Sequence, residues 1–271
     1  MKKTTILLFA FVFSLSLFFG KITSAEESKP FTIGTDQGFY SDYTWRGTYI
    51  NKSAWQGDVY ITLLDSLTFN VWYNMPTQND NANKSSFTEV DYTIDYAFSY
   101  EGWSFDIGHI TFDFPKTPAG SISTTNEAFL TIGYDTMLSP TLGIYYDYDK
   151  TDGIYFQFDV SHSEEISDWA TLNFGITQGY AVDEGPDTGK NTSGTQYFQY
   201  YDKNSGFTST ELSAGIDISL GHFSPSLSHA TLSANGLYII RTTGMVLGAS
   251  AGAPSYGRDE FVTSINLNFE F

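Results

Sequence analysis

Apolar and polar residues alternate along most of this chain. Phe69, Val71, Tyr73 and Met75 fall on one parity, and Thr68, Asn70, Trp72 and Asn74 on the other. Val90, Tyr92, Ile94, Tyr96 and Phe98 oppose Glu89, Asp91, Thr93 and Asp95. Ile154, Phe156, Phe158 and Val160 oppose Tyr155, Gln157, Asp159 and Ser161, and Leu212 to Leu220 repeats the pattern against Glu211, Ser213, Gly215, Asp217 and Ser219. At the end of the chain Phe261, Thr263, Ile265, Leu267, Phe269 and Phe271 oppose Val262, Ser264, Asn266, Asn268 and Glu270. A period of two is the signature of a strand, whose successive side chains point to opposite faces. The pattern predicts about twelve strands, over 32–46, 54–64, 67–76, 87–99, 102–113, 126–137, 141–149, 153–163, 168–180, 208–220, 229–242 and 260–271. Most reach about ten residues, the length a tilted strand needs to cross a bilayer.

The connections alternate as well. Those after even strands are mostly short: Asp65-Ser66, Tyr100 to Gly102, Ser139-Pro140, and 164–167. Those after odd strands are mostly long: 47–53, 77–86, 114–125, 181–207 and 243–259. Short turns at one end and long loops at the other are expected of an up-and-down barrel in an outer membrane. Two connections break the rule. Thr151-Asp152 is tight where a long loop is due, and 221–228 is long where a turn is due. Tyr43, Trp45, Trp55, Tyr100 and Trp103 stand near predicted strand ends, as interfacial girdles would require, whereas parity turns Trp72 and Trp169 inward.

The start of the chain reads as an export signal. Met1-Lys2-Lys3 precedes an apolar run from Ile6 to Phe19, and Thr23-Ser24-Ala25 offers a small-residue cleavage site. The expected organisation is a signal peptide over 1–25 and one barrel over 26–271. The absence of Cys excludes disulfides, thiolate metal sites and a Cys nucleophile. Aromatic residues make up 17% of the chain, yet its mean hydropathy is −0.20. A barrel that is apolar outside and polar inside accounts for both.

The net charge of −18 argues against nucleic acid as a partner. Inward parity collects Asp58, Glu89, Asp91, Asp95, Asp106, Glu127, Asp135, Asp147, Asp159, Glu211, Asp217 and Glu270 as candidate pore-lining groups, with Arg46 and Arg241 as basic counterparts. Asp42 and Arg46 share a face of the first strand and can join one network. With 13 Lys and Arg against 31 Asp and Glu, complete pairing is impossible. An acidic lumen favours cations.

Other chemistry is weakly signalled. Ser161-His162-Ser163 sets a Ser beside a His, but neighbours on a strand face opposite ways. Asn79 to Asn83 lacks the Gly and the terminal acid of a calcium loop. Asp183, Glu184 and Asp187 lie in an acidic loop of the solvated kind, and no Walker, Rossmann or zinc motif occurs, so no metal or cofactor is expected.

The terminal strand ending in Phe271 resembles the closing strand of a bacterial outer-membrane β-barrel. Tyr40-Ser-Asp42-Tyr43-Thr-Trp45-Arg46-Gly47, followed by Ser53-Ala-Trp55-Gln56-Gly57, is similar to the opening of the TorF-type porin family of proteobacteria. Gly133-Tyr134 and Gly179-Tyr180 repeat the strand-end Gly-Tyr pattern of that family. The sharp match covers about twenty residues, and the acidic loop has no counterpart in the family. The resemblance implies an outer-membrane porin-like barrel with no defined substrate. The expectation is therefore an all-β transmembrane antiparallel barrel in the bacterial outer membrane. Its partners would be membrane lipids and small hydrophilic solutes, cations foremost, and it would not be an enzyme. The alternatives are a barrel hydrolase of lipase or protease type, or a structural or adhesive barrel plugged by 181–207.

Overall fold

The computed structural model describes residues 30–78, 83–116, 123–184, 201, 205–242 and 259–271. These residues form twelve antiparallel strands in one closed barrel, each paired with its chain neighbours, and β1 with β12. The strands are β1 (Phe31–Trp45), β2 (Thr48–Leu63), β3 (Leu67–Pro76), β4 (Glu89–Tyr100), β5 (Trp103–Asp113) and β6 (Thr124–Tyr134). They continue as β7 (Thr141–Asp147), β8 (Gly153–Ser167), β9 (Ala170–Val182), β10 (Gly206–Ser219), β11 (Ala230–Arg241) and β12 (Asp259–Glu270). Closure leaves no unpaired sheet edge, the condition for backbone to cross hydrocarbon. The export signal over 1–25 and the motif at 79–82 lie outside the described residues.

The alternation decides which face is which. Phe69, Val71, Tyr92, Ile94, Phe158, Leu212 and Ile265 all lie exposed on the outer wall. Phe261 and Ile265 are each 62% exposed, which no soluble sandwich of this size would tolerate as a continuous belt. The exposed rings of Tyr100, Trp103 and Tyr134 mark one rim, and Trp55, Phe87 and Phe207 the other. The inner face carries the opposite parity: Asp58, Trp72, Asp91 and Phe112 pair side by side across β2, β3, β4 and β5.

Several boundaries differ from the sequence expectation. β2 begins at Thr48, so the first connection is the two-residue turn Arg46-Gly47 and not a loop over 47–53. Backbone pairing continues through Asn51 and Lys52 because ladder bonds to β1 need no apolar side chains. β8 runs on through Glu164 and Glu165 to Ser167, beyond the predicted end at 163, since charged residues are tolerated where a strand leaves the membrane. The long connection after β10 is two short 3₁₀ turns, Leu220–His222 and Pro225–Leu227, and no strand is displaced there. Trp169, in the turn before β9, stacks on His222 with ring centres 5.5 Å apart.

Candidate functional site

The β1–β2 hairpin does not stay in the wall. β1 pairs with β12 from Gly34 to Tyr40 and no further, and β2 pairs with β3 from Ala54 to Leu63. Between those limits residues 42–52 form ladder pairs only with each other, from Asp42↔Lys52 to Trp45↔Thr48. A register shift opposite Tyr43 and Thr44 leaves Ile50 of β2 unpaired, a bulge that bends the hairpin. The arm folds into the barrel. Tyr43 is buried against Trp72, with ring centres 5.6 Å apart. At its base Asn74 of β3 donates to Asn51 Oδ1 at 2.8 Å, and Gln56 donates to Asn74 at 3.0 Å.

The tip of the arm crosses the lumen. Around the ring β7 lies six steps from β1 in either direction, flanked by β6 and β8. Arg46 reaches that far wall. Its Nη1 and Nη2 donate to Glu127 Oε1 and Oε2 of β6 at 2.9 and 2.7 Å, with both side chains almost fully buried. The guanidinium also lies over the rings of Trp45, Tyr145 and Tyr155 at 4.3, 4.6 and 4.5 Å. A bidentate guanidinium–carboxylate pair stacked on aromatic faces uses the geometry that Arg has and Lys lacks. Next along the chain, Gly47 O accepts from Arg241 Nε of β11 at 2.6 Å, and Arg46 O accepts from the Tyr201 hydroxyl at 3.2 Å. Arg241 is itself paired with Glu260.

Backbone conformation fits this tight crossing. Arg46 and Gly47 both adopt positive φ, 49° and 80°, as a two-residue hairpin turn of this twist requires. A Cβ on Gly47 would stand 2.7 Å from the Ser209 side chain of β10, so only Gly fits there. Non-Gly residues in this region cost roughly 1–3 kcal/mol and persist where surrounding contacts hold them. Glu184 adds to the packing: it is fully buried, and neither carboxylate oxygen has a hydrogen-bond partner among the described residues. Burial raises its pKa from 4.5 to about 8; Arg46 opposes the rise, and Glu127 and Asp147 add to it. For Arg46, burial disfavours the charged form, but Glu127 outweighs it and holds the guanidinium charged.

Thr44 of the arm lines two cavities, one on each side. One, of about 330 Å³, lies at the β1–β12 seam against Tyr40, Asp42 and Val262. The other, of about 320 Å³, lies among Trp45, Trp72, Asp91, Phe112 and Tyr145. Asp42 faces the first cavity and Arg46 the second, so they do not share a network. The hairpin has left the wall where it carries Tyr43 and Trp45, whose rings pack on Trp72 and Phe112, so neither belongs to an interfacial girdle.

Below the arm the inner face is acidic, and neutral groups bond several of its carboxylates. Asp58 accepts from the backbone N–H of Asp36 at 2.9 Å and from Asn70 at 3.2 Å. Asp217 accepts from Asn173 at 2.8 Å and Ser233 at 2.6 Å. Asp159 accepts from Thr177 and Gln157, Glu211 from Ser209, and Glu270 from Tyr60. Glu89 is buried beside Tyr43, and one oxygen each of Asp91 and Asp106 is buried without a partner. Asp95 sits with Asp106 across β4 and β5 on the inner face, one pair removed.

Three of the expected lining residues have other places. Asp135 is exposed in the turn after β6, beyond the strand whose parity was extended to it. Asp147 is fully buried and accepts from Thr125 and from the N–H groups of Asp149 and Lys150, so it shapes the β7–β8 turn. Arg241 braces the arm. Glu184, expected in a solvated acidic loop, is instead fully buried. Asp36, Tyr201 and Glu260 were not anticipated. Asp36 carries inward parity with Thr32 and Gly34 and was open to the same reading as Asp58.

The histidines assemble no nucleophile site among the described residues. His162 Nδ1 lies 2.9 Å from Met137 O on the outer face, while Ser161 points inward. His109 lies 2.6 Å from the Tyr148 hydroxyl. Among the described residues no group of three His, Asp or Glu side chains is placed to hold a metal.

No protein-family model matches the chain, and no curated protein matches it. Solved structures do. The NanC porin superposes with a TM-score of 0.50 at 14% identity, over 88% of this chain and 98% of that one. An outer-membrane channel of Pseudomonas putida F1 gives 0.48 at 9% identity, over 93% and 100%. At these identities the likeness is one of fold, and the architecture of this chain is that of a bacterial outer-membrane barrel.

Proposed function

We propose that the protein is an outer-membrane channel for small hydrophilic solutes, cation-preferring, with an entrance narrowed by its own β1–β2 arm. One observation carries the charge preference: Asp58, Asp159, Glu211 and Asp217 are bonded by amides, hydroxyls and backbone N–H groups. Neutral donors orient a carboxylate and leave its net charge in place, so the lumen presents a negative field to a permeating ion. The resemblance to TorF-type porins supports the same reading. Its motif, Tyr40 to Gly57, is the arm together with its two roots in the wall.

The test is the reversal potential of the refolded protein in a planar bilayer under a KCl gradient. Wild type should prefer K⁺. Asp58→Asn with Asp217→Asn should reduce that preference while leaving the arm intact. Conductance without cation preference, or preference unchanged in the double variant, refutes the assignment.

A further inference from the structure

The cavity on the far side of the arm is a second kind of environment within the lumen. In one cross-strand row Asp91 of β4 stands between Trp72 of β3 and Phe112 of β5. All three line a cavity of about 320 Å³, with Tyr145 and Gln157 opposite and Trp45 of the arm above. Asp91 Oδ1 is buried beside it with no hydrogen-bond partner among the described residues. A carboxylate with an unpaired buried oxygen is costly, and a cation held against it offsets that cost. Aromatic faces on both sides attract a cation that has shed its water. The opposing charge is Arg46, at the cavity wall, and Glu127 already neutralises it through two hydrogen bonds.

We infer that this cavity is a docking site for small organic cations bearing a primary ammonium, held by Asp91 between the Trp72 and Phe112 rings. The site lies on the path the channel reading assigns to permeant solutes, and the inference rests on that reading. An anion would meet Asp91 and the neighbouring Glu89. A neutral sugar could donate a hydrogen bond but would leave the carboxylate charge uncompensated. At about 320 Å³ the space falls at the small end of ligand pockets, enough for a short amine.

The probe is n-butylammonium chloride, with tetramethylammonium, which has no N–H donor, and glucose as controls. Two readouts are used: block of single-channel conductance, and a tryptophan-fluorescence titration of the folded protein in detergent. Butylammonium should interrupt the current and shift the fluorescence at concentrations where tetramethylammonium and glucose do neither. Asp91→Asn should weaken both effects at least tenfold. Trp72→Leu should weaken the block while leaving K⁺ over Cl⁻ preference unchanged, which separates this site from the general acidic field. If the membrane is silent the channel reading fails, and the fluorescence titration still decides the site. Equal response to glucose, or equal butylammonium affinity in wild type and in correctly folded Asp91→Asn, overturns the inference.

Discussion

Replacing Arg46 with Ala should open the channel without unfolding the barrel. The guanidinium is bound twice by Glu127, at 2.9 and 2.7 Å, with side-chain exposures of 7% and 0%. Removing one partner of such a buried pair costs about 3–5 kcal/mol, because the other charge is left stranded. The three ring contacts at 4.3 to 4.6 Å are lost too, each worth about 0.5–2 kcal/mol. Relief of the positive φ at position 46 returns little, since Ala is also an L residue. The loss falls on the arm, because residues 41–53 form no ladder with β3 or β12. At about 1.4 kcal/mol per decade, even 3 kcal/mol changes the ratio of docked to released arm by more than about 100-fold. Single-channel recordings should show larger or longer open events in Arg46→Ala and in Glu127→Ala. The double variant should be less perturbed than the sum, because no stranded charge remains. Folding should be unaffected, as judged by heat-modifiable gel mobility. Single variants with the conductance and gating of wild type would show that the arm does not govern the current.

Two further outcomes follow from the same geometry. Glu184 is buried with its pKa raised from 4.5 to about 8, so the folded cap binds a proton that the released, solvated state gives up. The stability this contributes is complete below about pH 4.5 and declines as pH rises, being lost once pH passes 8. Open probability in bilayers should therefore rise between pH 5 and pH 9, and Glu184→Gln should flatten the trend; a wild type indifferent to pH in that range refutes it. At the seam, a Cβ on Gly38 would collide with the Asn266 side chain, and Gly38↔Asn266 is a closing pair of β1 and β12. Gly38→Val should lower the temperature at which the folded gel band is lost, and an unchanged temperature would mean the seam tolerates the side chain.

The barrel was legible because its physics is periodic. Phe69 and Val71 against Asn70 and Trp72 give the lipid and lumen faces of β3 with no further information, and Trp72 does point inward. Asp58, Asp159, Glu211 and Asp217, read on the inner parity, each accept hydrogen bonds from polar side chains or backbone N–H groups in the structure. Parity misled where the chain leaves a strand, as at Asp135, and nearness to a strand end misled where the hairpin leaves the wall, as at Tyr43 and Trp45. Stretches such as 47–53 read as loops because Asn51, Lys52 and Ser53 are polar. Inside an acidic lumen polarity no longer separates a loop from a strand, since neither face needs to be apolar. Glu184 and Tyr201 stand in a segment whose composition is that of a solvated loop. Their burial depends on partners such as Arg46, distant in sequence, and no local pattern encodes that.

Several features that break local rules meet at the arm. A non-Gly residue at positive φ, a bulge, a buried ion pair and a buried unpaired carboxylate are each unfavourable alone. Here they gather within contact of Arg46. A chain selected only to close a barrel could have ended the β1–β2 hairpin at the rim, as the short turns after the even strands do at the other end. This one spends a strained turn to send a guanidinium across to the opposite wall. Such concentration of locally costly features is expected where a structure must hold two arrangements of similar free energy. The arm has what that requires: a root fixed to β3 through Asn51 and Asn74, a bend at Tyr43, and a tip held by side chains alone apart from two backbone carbonyls. On the channel reading proposed above, passage would be controlled at Arg46, and the carboxylates below would set which charge can follow.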